Sequence, residues 1–192
     1  MREAEINRRT KETDICLRLN LDGEGKTALD TGIGFFDHML DALSRFGLLD
    51  LAVTCKGDLR VDGHHTVEDV GICLGMALKE ALGDRQGIRR FGSSYVPMDE
   101  ALTFTALDFS NRPYLVFDAE MPQPMIGDYD SCLTVEFMRA VAVNGGITLH
   151  QKCLYGANAH HITEGLFKSF GMAVRDAVRQ EGDGVVSTKG VL

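Results

Sequence analysis

Two copies of a His-His-x-x-Glu pattern are the part of this chain best suited to bind metal ions. The copies consist of His64, His65 and Glu68, and of His160, His161 and Glu164. On a helix, His64 and Glu68 lie on one face and present an imidazole nitrogen and a carboxylate oxygen to one cation. The second histidine of each pair points about 100° away. Each copy therefore predicts donors for two metals.

The two copies belong to an internal repeat. When the 192-residue sequence is aligned with itself at an offset of half its length, segment 62–68 matches segment 158–164. Segment 75–81 likewise falls over segment 171–177, where Lys/Arg and Glu/Asp exchanges keep the charge. A single His-His pair is usually a solvated or core-satisfied helix start, but its duplication in phase with a glutamate favours metal binding. The repeat predicts two homologous halves, 1–92 and 93–192, in one globular unit.

Further metal donors follow when the repeat is extended backwards, because His38 then matches Glu136. The predicted ligands are His38, His64, His65, Glu68, Glu136, His160, His161 and Glu164. This mixture of nitrogen and oxygen donors divides into two sites and suits Mn²⁺ above all, with Zn²⁺, Fe²⁺ or Co²⁺ as alternatives. No cysteine joins the set, which argues against a structural zinc site. His150 lies on a predicted strand outside the pattern, which favours a structural role or one behind the ligands.

The elements that must position these donors are indicated by the spacing of apolar residues. Alternation predicts strands, and a spacing of three to four residues predicts helices. The predicted strands are 14–21, 49–55, near 101–109, near 113–119 and near 146–154. The predicted helices run over 36–47, from the N-cap Asp62 to Gly83, near 131–144, and from the N-cap Asn158 to about Arg179. The expected fold is α+β, with sheets that each bury one face against helices.

Composition limits the partners and the compartment. With 28 acidic and 20 basic residues, the net charge of −8 argues against nucleic acid and anionic membranes as partners. The five cysteines are an odd number without CxxC spacing, which favours a reduced, cytoplasmic setting. The N-terminus is charged, and the longest apolar stretch, 70–78, has about half the length of a membrane span. We therefore expect neither secretion nor membrane insertion.

Nearly the whole chain resembles the imidazoleglycerol-phosphate dehydratase family of histidine biosynthesis. The matching segments, in family order, are 9–13, 36–40, 62–69, 87–92, 97–100, 112–114, 148–150, 160–164 with 167–168, and 187–190. The resemblance implies two pseudo-repeated halves, each with a four-stranded, antiparallel or mixed sheet that encloses helices, as in ribosomal S5 domain 2. It also implies two Mn²⁺ ions per active site, and a homo-oligomeric shell of 24 subunits with sites at subunit interfaces.

The reaction implied by the resemblance converts D-erythro-imidazole glycerol phosphate to imidazole acetol phosphate with loss of water. The departing hydrogen sits on a carbon that no adjacent carbonyl acidifies. Binding of the substrate ring between two metals favours the imidazolate, whose electrons expel the hydroxyl before a base takes the carbon-bound proton. The family implies that Glu12 contacts the substrate and is the catalytic base, with Glu164 as the alternative.

The substrate is a small phosphate ester, so its binding requires cations and hydrogen-bond donors. The residues that match the family's phosphate positions are Arg90, Arg112, Lys168, Ser187, Thr188 and Lys189.

Two other functions compete with the dehydratase. A dinuclear metallohydrolase would usually need bridging aspartates. A metal-binding shell protein without enzymatic activity would leave the basic residues Arg90, Arg112, Lys168 and Lys189 unexplained. Glu136 departs from many family members, which carry histidine at that position.

Overall fold

The structure is a computed structural model that describes residues 2–190 and 192. Met1 of the first predicted half and Val191 of the second lie outside the described residues. In the described residues, none of the helices is long and apolar enough to cross a membrane. The strands are β1 (Glu3–Arg9), β2 (Thr13–Asn20), β3 (Thr27–Asp30), β4 (Asp50–Gly57), β5 (Phe91–Met98), β6 (Ala101–Asp108), β7 (Tyr114–Asp118), β8 (Met125–Ile126), β9 (Tyr129–Asp130) and β10 (Thr148–Tyr155). The helices are α1 (Gly34–Gly47), α2 (His64–Leu82), α3 (Leu133–Gly145) and α4 (Ala159–Ala177).

Each half of the chain builds one four-stranded mixed sheet with the same connectivity. The first sheet has the order β1-β2-β4-β3 and the second has the order β5-β6-β10-β7. In both sheets the first three strands are antiparallel and the last pair is parallel. The predicted α+β fold with mixed four-stranded sheets is confirmed. The predicted division after residue 92 falls inside β5, which pairs with the second half.

The helices join the two halves into one core. Helices α1 and α2 pack on the first sheet, α3 and α4 pack on the second, and the pairs α2–α3 and α1–α4 connect them. Phe137 of α3 has its ring centroid 5.1 Å from that of Phe167 and 5.4 Å from that of Phe36. All three side chains are fully buried. Because each helix pair draws one member from each half, the position of every predicted donor depends on both halves.

The helix starts place the paired histidines, and one predicted cap is wrong. Asn158 is the N-cap of α4, and its side chain accepts a hydrogen bond from the His160 amide at 2.9 Å. The N-cap of α2 is Gly63 instead of Asp62. Asp62 lies one residue earlier, but its Oδ1 still accepts from the His64 amide at 2.8 Å. An Asp or Asn two residues before the first histidine therefore does the same work in both halves.

Two glycines matched by the repeat let the helix pairs approach closely. A Cβ atom added at Gly75 on α2 would lie 2.7 Å from the carbonyl oxygen of Val141 on α3. A Cβ atom added at Gly171 on α4 would lie 2.2 Å from the carbonyl oxygen of Leu43 on α1. Both obstacles are backbone atoms, which cannot rotate away. The close contact of α1 with α4 therefore requires glycine at residue 171.

We expect Gly171→Ala to lower stability by about 1–3 kcal/mol, because the added methyl overpacks the contact of α1 with α4 by more than the helix propensity of alanine restores. Thermal unfolding of the metal-free protein measures this effect. Gly34→Ala is the matched control, since a Cβ atom there would have no neighbour within 4 Å. Equal melting temperatures for the two variants would contradict the close-packing explanation.

Candidate active site

The contact of α1 with α4 brings three predicted donors together. Nε2 of His160 lies 3.1 Å from Oε2 of Glu164, and Nε2 of His38 lies 3.5 Å from the same oxygen. Potential ligand atoms of the three residues lie within 4.8 Å of one another. Two imidazole nitrogens aimed at one buried carboxylate are a donor set that fits Mn²⁺ or another divalent transition metal.

Glu164 is held in its charged form by its neighbours. Its side chain is 8% exposed, and Nζ of Lys168 lies 2.7 Å from its Oε1. Burial by itself raises the pKa of Glu164, but the Lys168 ammonium, together with His38 and His160, more than offsets this and keeps the pKa below its ordinary value. An ionised carboxylate is the form that binds a metal. Lys168, predicted as a phosphate residue, thus lies beside the predicted metal ligands.

The equivalent helix pair, α2 with α3, carries a looser set of donors. Nε2 of His64 lies 3.7 Å from Oε2 of Glu68, and both side chains are partly exposed. Glu136 on α3 forms an ion pair with Arg139 one turn later. Among the described residues, these side chains do not form a second compact group of three donors. The predicted ligands of the first half therefore remain incomplete within one chain.

The second histidine of each pair points away from its partner and contacts two carboxylates. Nδ1 of His65 lies 3.0 Å from Oδ2 of Asp58, and its Nε2 lies 3.7 Å from Oε1 of Glu12. In the other half, Nδ1 of His161 lies 2.6 Å from Oε2 of Glu100, and its Nε2 lies 3.6 Å from Oδ2 of Asp99. The two outward histidines, His65 and His161, thus have the same arrangement of partners.

These contacts shift the pKa values of the groups involved. The hydrogen bond to Asp58 raises the pKa of His65, and the hydrogen bond to Glu100 raises that of His161. The pKa of Glu100 falls to about 2, chiefly because it accepts from His161 and also from the backbone N–H groups of Ala157 and Asn158. The Glu100 carboxylate is therefore anionic near neutral pH. An ionised carboxylate can only accept a hydrogen bond, and a histidine nitrogen that faces one must donate. Nδ1 of each outward histidine must carry the proton.

Two of the predicted phosphate cations, Arg90 and Arg112, form a separate group around Asp108. Arg90 donates from Nε at 2.6 Å and from Nη2 at 2.9 Å to the two carboxylate oxygens of Asp108. Nη2 of Arg112 lies 3.7 Å from the same carboxylate. Nη1 of Arg90 also donates to the carbonyl oxygen of Val186 at 2.6 Å. This bond holds the C-terminal segment beside the arginines, and the segment continues directly into the predicted phosphate residues Ser187, Thr188 and Lys189.

His150 does not join either group of donors. Its side chain is exposed on β10, and the strand places it outside the helix pairs. Asp58, Glu100 and Asp108 are the contacting residues that sequence reasoning missed. Asp58 follows β4, Glu100 precedes β6 and Asp108 is the last residue of β6. Each reaches its partner only through the fold, so the repeat alone contains no signal for them.

Comparison with known sequences agrees with the geometry. Residues 31–174 match the family model described as imidazoleglycerol-phosphate dehydratase. A relative of that name from Acetivibrio thermocellus is 58% identical over 100% of this chain and 99% of its own length. Another of that name, from Ruminiclostridium cellulolyticum, is 56% identical over the full length of both chains.

Solved structures show the same similarity. The crystal structure of imidazoleglycerol-phosphate dehydratase from Staphylococcus aureus has a TM-score of 0.85 and 34% identity, covering 93% of this chain and 99% of that one. The structure of IGPD from Pyrococcus furiosus has a TM-score of 0.85 and 41% identity, covering 97% of this chain and 100% of that one. Similarity therefore extends over almost the whole length of both chains.

Proposed function

The chain belongs to the imidazoleglycerol-phosphate dehydratase family, and on that premise we propose how its residues share the work of the reaction. It is a hydro-lyase of histidine biosynthesis that dehydrates imidazole glycerol phosphate to imidazole acetol phosphate. The metallohydrolase and the non-enzymatic shell protein are therefore excluded. The metal, the assembly and the roles of individual residues form the proposal.

Mn²⁺ is the metal that suits the predicted donors best, with two ions in each active site. The strongest support is the trio of His38, His160 and Glu164, whose ligand atoms converge within 4.8 Å. His64, Glu68 and Glu136 occupy the corresponding positions of the other helix pair. When bound, the metals would favour the imidazolate form of the substrate ring and so assist loss of the hydroxyl.

Glu12 is the base in this proposal, and its position beside His65 is the observation that carries the assignment. Its Oε1 lies 3.7 Å from Nε2 of His65, the atom through which that histidine would bind an ion. A carboxylate there can take the carbon-bound proton from a substrate ring held at the metal. Glu164 is less suited to this step, because Lys168 and two histidines already contact its carboxylate.

A homo-oligomer is proposed because the described residues of one chain bring only one group of three predicted donors together. His65 and His161 lie outside the trio, and a neighbouring subunit is the simplest source of the ligands that each group lacks. Large apolar side chains also remain exposed on the second sheet, including Tyr95 at 62% and Tyr114 at 65%. We propose the shell of 24 subunits that the family resemblance implies. The five free cysteines support a cytoplasmic location.

The decisive assay is incubation of the Mn²⁺-loaded, assembled protein with imidazole glycerol phosphate. We expect formation of imidazole acetol phosphate, and loss of that product when the ion is removed and not replaced. Absence of product from correctly assembled, Mn²⁺-loaded protein would contradict the proposed metal chemistry.

Arg112→Ala should raise KM by about 10- to 100-fold with little change in kcat, because a charge-assisted hydrogen bond to phosphate contributes about 1.5–3 kcal/mol equally to substrate and transition state. Steady-state kinetics measure both constants. Arg18→Ala is the control, because Arg18 is an exposed arginine of β2 that pairs with Glu5 at 2.8 Å. A fall in kcat at unchanged KM would argue against a phosphate-binding role for Arg112.

A further inference from the structure

We propose that Asp58 and Glu100 are positioning residues that fix the proton of His65 and His161 on Nδ1, so that Nε2 of each histidine is free to bind a metal ion. The inference rests on the proposed function, since it takes the two outward histidines as metal donors. It adds two residues outside the predicted ligand set and assigns each of them one histidine.

The first argument is that the contact occurs twice. The carboxylates come from different places in the fold, since Asp58 follows β4 and Glu100 lies in the turn between β5 and β6. Each nevertheless reaches Nδ1 of the second histidine in the adjacent His-His pair, at 3.0 Å and 2.6 Å. The two sequence halves thus arrive at one arrangement by different routes.

The second argument is the contrast with the other histidines. His38 and His160 point Nε2 at Glu164, the carboxylate with which they would share an ion. His65 and His161 instead turn Nδ1 to a carboxylate at hydrogen-bond distance and leave Nε2 more than 3.5 Å from the second acid. A metal-binding histidine typically donates its other ring N–H to a carboxylate, which sets the tautomer and the ring orientation.

The surroundings of the two carboxylates make their amide variants behave differently. Oε1 of Glu100 accepts from the backbone N–H groups of Ala157 at 3.1 Å and Asn158 at 2.9 Å. In Glu100→Gln these donors hold the amide oxygen in place, so the NH₂ group must face Nδ1 of His161 and move the ring proton to Nε2. Both side-chain oxygens of Asp58 contact only His65 among the side-chain hydrogen bonds of the described residues. In Asp58→Asn the amide is free to turn its oxygen to Nδ1.

The experiment is a Mn²⁺ titration of assembled protein, with free Mn²⁺ measured by electron paramagnetic resonance. We expect wild type to bind two ions per chain. Glu100→Gln should weaken one of the two by about 10- to 100-fold, Asp58→Ala should weaken the other by a similar factor, and Asp58→Asn should change either by less than about threefold. Both amide variants remove one negative charge, so a purely electrostatic effect would make their losses equal.

Asp118→Asn is the matched control. Asp118 forms an exposed ion pair with Lys152 and is not among the acidic partners of His65 and His161 in the described residues. Thermal melting of each metal-free variant reports whether folding is intact, and Asp58→Ala keeps the inference testable if Glu100→Gln unfolds. Unchanged Mn²⁺ affinity in folded Glu100→Gln and Asp58→Ala would overturn the inference while leaving the proposed function in place. Failure of wild type to bind Mn²⁺ would overturn both.

Discussion

Glu12→Gln is expected to lower kcat by about 10²- to 10⁴-fold, the range that general acid–base groups contribute, while metal content and folding remain as in wild type. Glutamine has the size of glutamate but cannot take up a proton at neutral pH. The Glu12 side chain is 51% exposed and lies at the tip of the turn between β1 and β2, so its replacement leaves no buried charge unpaired. Single-turnover kinetics with Mn²⁺-loaded protein separate the proton-transfer step from substrate binding.

Glu24→Gln provides the comparison for Glu12→Gln, since Glu24 is an exposed glutamate in a loop of the same half and pairs only with Lys26 in the ion pairs of the described chain. It makes the same chemical change away from the histidines and should keep wild-type kcat. If Glu12→Gln also keeps its kcat, the base must be sought elsewhere. Glu164 would then be the next residue to test, with metal content measured in parallel.

Removal of the metal should both abolish turnover and weaken the assembly. An ion present at about a thousandfold excess over its Kd stabilises the folded state by about 4 kcal/mol, which corresponds to a fall of about 10 °C in melting temperature when it is removed. We expect the effect to reach the oligomer, because the donors of one chain form a compact trio in only one place in the described residues. Size-exclusion chromatography with light scattering and thermal melting, before and after chelation, measure the two consequences.

Restoration with Mn²⁺ must return both the oligomer and the melting temperature, which distinguishes metal loss from damage by the chelator. His150→Ala serves as a control variant, because His150 is exposed and lies outside the predicted ligands. It should respond to chelation as wild type does. If chelated wild type keeps its size and its melting temperature, the ions do not hold subunits together, although they could still serve the reaction.

Most of the secondary structure around the site was predictable from apolar spacing. Helices α1, α2, α3 and α4 were all predicted, because each buries a continuous apolar face at helical spacing. Strands β1, β3, β5, β8 and β9 were not predicted. β3 has only four residues, none of them buried, and β5 has two buried residues separated by polar ones. Short or half-exposed strands lack the alternation that identifies them, and their positions are set by pairing with β4 and β6.

The amino-acid sequence by itself determined the repeat and the family, and it predicted the metal donors. Residue type and helical periodicity are local properties, so spacing alone assigns His160 and Glu164 to one face of a helix. Only the tertiary structure decided that His38 joins them, because this depends on the close crossing of α1 and α4 that Gly171 allows. It also decided which carboxylate faces each outward histidine. Asp58 follows β4, whereas Glu100 lies in the turn between β5 and β6, so the two carboxylates come from different places in the two halves. No spacing in the sequence encodes such contacts.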